Sequence, residues 1–218
     1  MRRLIGGVSV LMVLVVLPAR AADEAIDRLI GKLPPPQKFV DPAINDPLAK
    51  QMAAASKAHN FGIALDLSRR LASRYPKSLG AQMVHGLFAN SMREYGEASA
   101  AYHKALSIRP DYPPAYIALG ITEASQNRFT AALSNFQQVT RIAPQLDAGW
   151  IGSSACAEKL GRKRDSLEFA RRATAVAPSS VGAWLQLARE ESVAGNSQAA
   201  ATALAGANQL QRNAPKKK

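Results

Sequence analysis

The chain has one cysteine, Cys156, among 218 residues. An intramolecular disulfide is therefore excluded, and stability must come from packing. A small buried residue on a helix is the expected role of Cys156, with pairing between chains as the alternative. Aromatics make up only 6% of the residues. β-branched runs with period-two alternation are also scarce, which removes the support for a sheet sandwich. The three histidines, His59, His85 and His103, show neither HxxxH spacing nor a CxxC partner, so no metal site is expected. GxSxG, GxGxxG and a Walker loop are all missing, and carboxylates are few. The pairs Asp23-Glu24 and Glu190-Glu191 read as solvated faces rather than acid/base pairs. The chain is expected to be no enzyme, with no catalytic residue, cofactor or metal.

Long apolar runs are lacking as well, with one exception at the N-terminus. Arg2 and Arg3 precede an apolar stretch from Leu4 to Leu17, broken by Pro18 and followed by Ala19-Arg20-Ala21. That is the pattern of an export signal with a small-x-small cleavage site. The stretch is shorter than the roughly 20 residues of a membrane-spanning helix. Cleavage after Ala21 is expected, with retention as an anchor the alternative, and the protein is expected to be periplasmic or secreted. Losing residues 1–21 removes Arg2, Arg3 and Arg20 and no acid, lowering the formal charge from +12 to +9. In an exported protein nucleic acid is not an expected partner. A weak contact with an anionic surface is the fitting use of the charge, beside simple solubility.

What the chain has in quantity is alanine and a period. Pro76, Pro110, Pro144 and Pro178 are each 34 residues apart, and each follows an apolar helical segment: "RLASRYP", "KALSIRP", "QVTRIAP" and "RATAVAP". Pro113 and Pro114 follow closely on Pro110, at a place where the first turn of a helix does not need their N–H groups. A 34-residue period is that of a helix-turn-helix repeat that buries its apolar face only by stacking.

On these residues the chain resembles the tetratricopeptide repeat family. With each proline at position 32 of its unit, the units are 45–78, 79–112, 113–146 and 147–180, and a fifth, 181–212, has Arg212 in place of proline. Position 4 carries Leu48, Gln82, Tyr116, Trp150 and Trp184. Position 8 carries Met52, Gly86, Gly120, Ser154 and Ala188, and position 20 carries Ala64, Ala98, Ala132, Ser166 and Ala200. Position 24 carries Ser68, Tyr102, Phe136, Ala170 and Leu204. The resemblance implies an all-α, right-handed superhelical solenoid of about five repeats. Outside it lie the signal segment 1–21, an extension 22–44 and a basic tail 213–218. In the extension, Ile26, Leu29, Ile30 and Leu33 have helical spacing ahead of a proline-rich linker.

The resemblance also implies that positions 2, 5, 9 and 12 of each first helix line a concave wall. In the middle of the array the wall is apolar through Met83, Leu87, Ile117, Ile121 and Ile151, at positions 5 and 9, which marks a binding groove. The expected groove residues are Met83, Leu87, Asn90, Ile117, Ile121, Ile151 and Arg189. The Lys and Asn set with which some members clamp a carboxylate is missing. Three occupants of the stripe remain open: an external segment, the chain's own residues 22–44, or neighbouring first helices that close over it. The implied function is a scaffold or adaptor for protein partners in the cell envelope. The rival expectations are a protein held on an anionic membrane or polymer, and a structural homo-oligomer formed through the fifth unit or Cys156.

Overall fold

In the computed structural model, residues 41–213 are described. The export signal, most of the extension (22–40) and tail residues 214–218 lie outside the described residues. A short 3-10 turn, Pro42–Asn45, leads into ten helices, and no strand occurs among the described residues. They are α1 (Pro47–Lys57), α2 (Phe61–Arg74), α3 (Leu79–Ser91), α4 (Tyr95–Ile108) and α5 (Pro113–Ser125). After these come α6 (Phe129–Ile142), α7 (Asp147–Lys159), α8 (Lys163–Val176), α9 (Val181–Val193) and α10 (Ser197–Asn213). The molecule divides between Gln126 and Asn127 into two compact units, the first ending with α5 and the second starting with α6.

Helix ends follow from local chemistry. Pro47 opens α1 behind Asp46, whose Oδ1 accepts the Leu48 N–H at 2.8 Å. Ser78 caps α3 in the same way, accepting the Ala81 N–H at 2.9 Å. Pro113 and Pro114 open α5, where their missing N–H groups leave no hydrogen bond unmade. Helices α2, α4, α6 and α8 are all 14 residues long, and each stops two residues before Pro76, Pro110, Pro144 or Pro178. Helix α10 has Arg212 at the corresponding place and runs on to 17 residues. The contrast identifies proline as the stop, because it has no N–H to continue the ladder.

The turn inside each helix pair reverses the chain through one left-handed residue. These are His59 (φ 57°), Arg93 (φ 63°), Asn127 (φ 59°), Gly161 (φ 73°) and Gly195 (φ 82°), again 34 residues apart. Glycine occupies this conformation without steric cost, whereas the Cβ of His59 and Arg93 does not.

Position 4 has a role that its residue types conceal. In the second unit Trp150 Nε1 donates to the Pro144 carbonyl at 2.7 Å, and Trp184 Nε1 donates to the Pro178 carbonyl at 2.8 Å. In the first unit Gln82 Nε2 donates to the carbonyls of Ala72, at 3.1 Å, and Pro76, at 3.4 Å. The property that Gln82, Trp150 and Trp184 share is an N–H donor that clasps the joint; Leu48 and Tyr116, at the same position, have no side-chain N–H.

Packing within each unit depends on small residues beneath rings. A Cβ on Gly86 would come within 2.4 Å of the buried Tyr102 ring, and one on Gly152 within 2.4 Å of Phe136. The α7–α8 pair uses hydrogen bonds instead. Ser154 Oγ donates to the Ser166 carbonyl and Ser166 Oγ to the Ser154 carbonyl, both at 2.9 Å. Both serines are buried and reciprocally satisfied.

Candidate functional site: the first-helix wall

The expected groove residues fall on both units. In the first unit, Met83, Leu87 and Asn90 belong to α3, and Ile117 and Ile121 to α5. In the second, Ile151 belongs to α7 and Arg189 to α9. The apolar stripe is closed: Met83, Ile117, Ile121 and Ile151 range from 1% exposed at Ile117 to 9% at Ile151. Of the three readings left open for the stripe, an exposed groove through these four residues does not hold, since all four are buried. At Ile151 the physical reason is the approach of the next first helix in its unit. In the second unit, Gly182 of α9 lies over Ile151, where a Cβ would stand 3.7 Å from Ile151 Cδ1.

The polar candidates are engaged too. Asn90 Oδ1 accepts a hydrogen bond from Thr122 Oγ1 of α5 at 3.0 Å, joining two first helices of the first unit. Arg189 is exposed, and its Nη2 donates to Glu158 Oε1 of α7 at 2.8 Å. What remains reachable is narrower than expected. Leu87 is half-buried on α3, and α9 shows an open row of Gly182, Leu185, Arg189 and Ser192. Leu185, at position 5 of the last pair, is 42% exposed although its counterparts Met83, Ile117 and Ile151 are buried. Its exposure was legible in principle: among the described residues, α9 is the one first helix after which no further first helix follows.

Two other expectations also change. Glu190 and Glu191 are both buried rather than solvated. Glu190 Oε1 accepts from Gln186 Nε2 at 2.7 Å, and burial raises its carboxyl above the ordinary range. Glu191 is held below that range: its burial is outweighed by hydrogen bonds from Asn196 and Arg171. Cys156 is buried, and burial pushes its thiol up to about 12, so it offers no ready bridge to a second chain.

In the first unit the charges form closed pairs. Arg69 grips Glu97 with two hydrogen bonds, of 2.6 and 2.8 Å, and His85 Nε2 lies 2.8 Å from Glu97 Oε1. The Arg69 hydrogen bonds, aided by His85, hold the Glu97 carboxyl down at about 2. Asp46 is also held low, first by the Leu48 N–H and then by Arg74. Among the described residues no group of three or more His, Cys, Asp or Glu side chains is placed to hold a metal. No helix there is long and apolar enough to cross a membrane.

No family model and no curated protein matches the chain. Solved structures do. MamA from Desulfovibrio magneticus RS-1 superposes with a TM-score of 0.66 at 15% identity, covering 78% of this chain and 96% of its own. YrrB, described as a TPR protein with an unusual peptide-binding site, superposes with a TM-score of 0.58 at 17% identity, covering 90% of this chain and 95% of its own. The chain has the tetratricopeptide-repeat fold. At these identities the likeness concerns the fold alone. Within that fold the wall includes the half-buried Leu87 in the first unit and the open α9 row in the second.

Proposed function

We propose that this tetratricopeptide protein is a non-enzymatic adaptor that holds a segment of a partner protein on its first-helix wall. The observation that carries the reading is the open α9 row, with Leu185 as its apolar anchor and Arg189 and Ser192 as polar neighbours. An apolar side chain flanked by polar groups on a rigid helix suits an extended or helical peptide. Peptide binding by YrrB, a protein of the same fold, supports the assignment.

The test is capture of partners by the wild-type chain and by the Leu87→Glu/Leu185→Glu variant. Both positions are open enough to accept a charge without unfolding. Loss of capture with unchanged helical signal is the expected result, and unchanged capture overturns the reading. Ile121 is unsuitable for this test because it is buried, so a charge there would probe folding instead.

The proposed setting is the cell envelope, on the strength of Arg2, Arg3, the apolar run to Leu17 and Ala19-Arg20-Ala21. Mass spectrometry of the protein from the envelope fraction should find a chain beginning at Ala22; a retained Met1 would overturn the cleavage.

A second reading has one observation in its favour. Lys159, Arg162, Lys163 and Arg164 surround the α7–α8 turn, all exposed, and among the described residues no side-chain hydrogen bond or ion pair engages them. Three of them stand at the start of α8, where the helix dipole disfavours cations. They suit an anionic membrane surface, so anionic vesicles should retain the wild type and release a variant carrying glutamine at all four positions. Equal retention of the two would exclude the patch.

A further inference from the structure

The second helix of each pair carries, at position 24, a side chain that the fold covers. Ser68, Tyr102, Phe136 and Ala170 hold this place in α2, α4, α6 and α8, and none exceeds 2% exposure. Leu204 holds it in α10 and is 47% exposed. Phe136 shows how the cover is made in the second unit: its ring lies against Gly152 of α7, the first helix of the following pair. No such helix follows α10 among the described residues.

The surroundings of Leu204 are uncharged. Ala201, Ala205 and Asn208 are all exposed and continue its stripe at helical spacing. Helix α10 contains no acid, and Arg212 is its one charge. By contrast α8 carries Arg164, Asp165, Glu168, Arg171 and Arg172 on exposed positions. A large aliphatic side chain between alanines suits a helix–helix seam, where small neighbours let the axes approach.

We propose that α10 pairs antiparallel with α10 of a second copy of this chain, about a twofold axis beside Leu204 and Ala205. The layout of the helix favours a copy of itself over another partner. Leu204 and Ala205 lie at the midpoint of Ser197–Asn213, so antiparallel pairing sets each apolar centre on the other. The same pairing carries Arg212 to the uncharged Ser197-Gln198 end of its counterpart, and like charges stay apart. A twofold contact must be self-complementary, and this stripe is. A charged partner segment, in contrast, would meet no complementary charge on it.

The seam is small. Seventeen residues span about 25 Å of helix. At roughly 10 Å of width the footprint is about 250 Å², well under the ~800 Å² per partner of a standard stable interface. The dimer is therefore weak and reversible.

Sedimentation of the full chain tests this. The expected mass is that of a monomer at about 5 µM and moves toward a dimer at about 500 µM, the span in which a weak contact fills. A monomer at the higher concentration overturns the proposal. Leu204→Asp should stay monomeric at both concentrations with its helical signal intact; dimerisation of a folded Leu204→Asp variant overturns the assigned surface. Two single-cysteine variants give an independent reading. Under oxidation Ala205→Cys should link into a covalent dimer. Ser197→Cys should not, because antiparallel pairing separates the two copies of that residue by about 24 Å. Cys156 stays silent in this experiment, buried as it is with its thiol pushed up. Equal cross-linking by the two variants, or none by either, overturns the antiparallel arrangement.

Discussion

The α3–α4 pair of the first unit and the α7–α8 pair of the second use the same repeat positions and different chemistry. In the first unit Tyr102 fills the space over Gly86, and apolar contact closes the pair. In the second, Ser154 and Ser166 exchange hydrogen bonds at positions 8 and 20, and Gln186 of α9 donates to Ser154 Oγ at 3.1 Å. One backbone geometry thus accepts a ring on glycine or a polar clasp, provided that every buried group is met. The carboxylates differ in the same direction. Glu97 is stabilised as an anion by Arg69, whereas Glu190 is pressed toward its neutral form by burial.

Breaking the apolar pair should have the largest effect. Tyr102→Ala empties a fully covered site and should cost about 3–5 kcal/mol in urea unfolding. The polar pair should respond less. Ser154→Ala leaves the Ser166 carbonyl and the Gln186 amide without that partner and should cost about 1–2 kcal/mol. The Ser154→Ala/Ser166→Ala double variant should cost no more than the single one, because it restores the small apolar residues that other pairs carry at these positions. A strictly additive loss would show that the two hydroxyls act separately.

The turns offer a smaller comparison of the same kind. Arg93→Gly should raise stability by about 1 kcal/mol and Gly161→Ala should lower it by about as much, since only glycine takes positive φ freely. Matching signs in the two thermal melts would contradict the backbone account.

Acid titration should separate the carboxylates with the smallest effects, since Arg69 is open to solvent and screening weakens its pair. The Glu97 contribution is fully present above pH 4.5 and is lost as pH falls toward about 2. Glu97→Gln should therefore be less stable than wild type at neutral pH, with the gap closing in acid. Glu190 has the opposite sign. Its contribution is present below pH 4.5 and is lost as pH rises through its raised value, with Glu158 adding to the rise and Arg189 opposing it. Glu190→Gln should gain on the wild type as pH rises above 4.5. Parallel pH profiles for the two variants would refute the contrast.

Much of the architecture was legible because proline acts locally. A residue without an N–H cannot continue a helix past its first turn, so Pro76, Pro110, Pro144 and Pro178 mark the period without knowledge of the packing. The meaning of position 4 was harder to read. Gln82, Trp150 and Trp184 share no size or hydropathy, only a side-chain N–H within reach of a carbonyl six residues back. The wall was least legible. Whether Ile151 faces solvent depends on how closely the next first helix lies, and Gly182, on which a Cβ would stand 3.7 Å from Ile151 Cδ1, is 31 positions away. Glu190 and Glu191 misled for a similar reason: their burial comes from neighbours on other helices.

The joint clasps have a practical corollary. Both tryptophans, Trp150 and Trp184, sit at joints of the second unit, and all five tyrosines, Tyr75, Tyr95, Tyr102, Tyr112 and Tyr116, belong to the first. The protein is spectrally partitioned. Indole emission excited near the red edge of the absorption band reports the second unit alone, with each indole N–H released to water when its joint opens. Tyrosine absorbance reports the first unit. One unlabelled sample can thus show whether the two halves melt together or in turn.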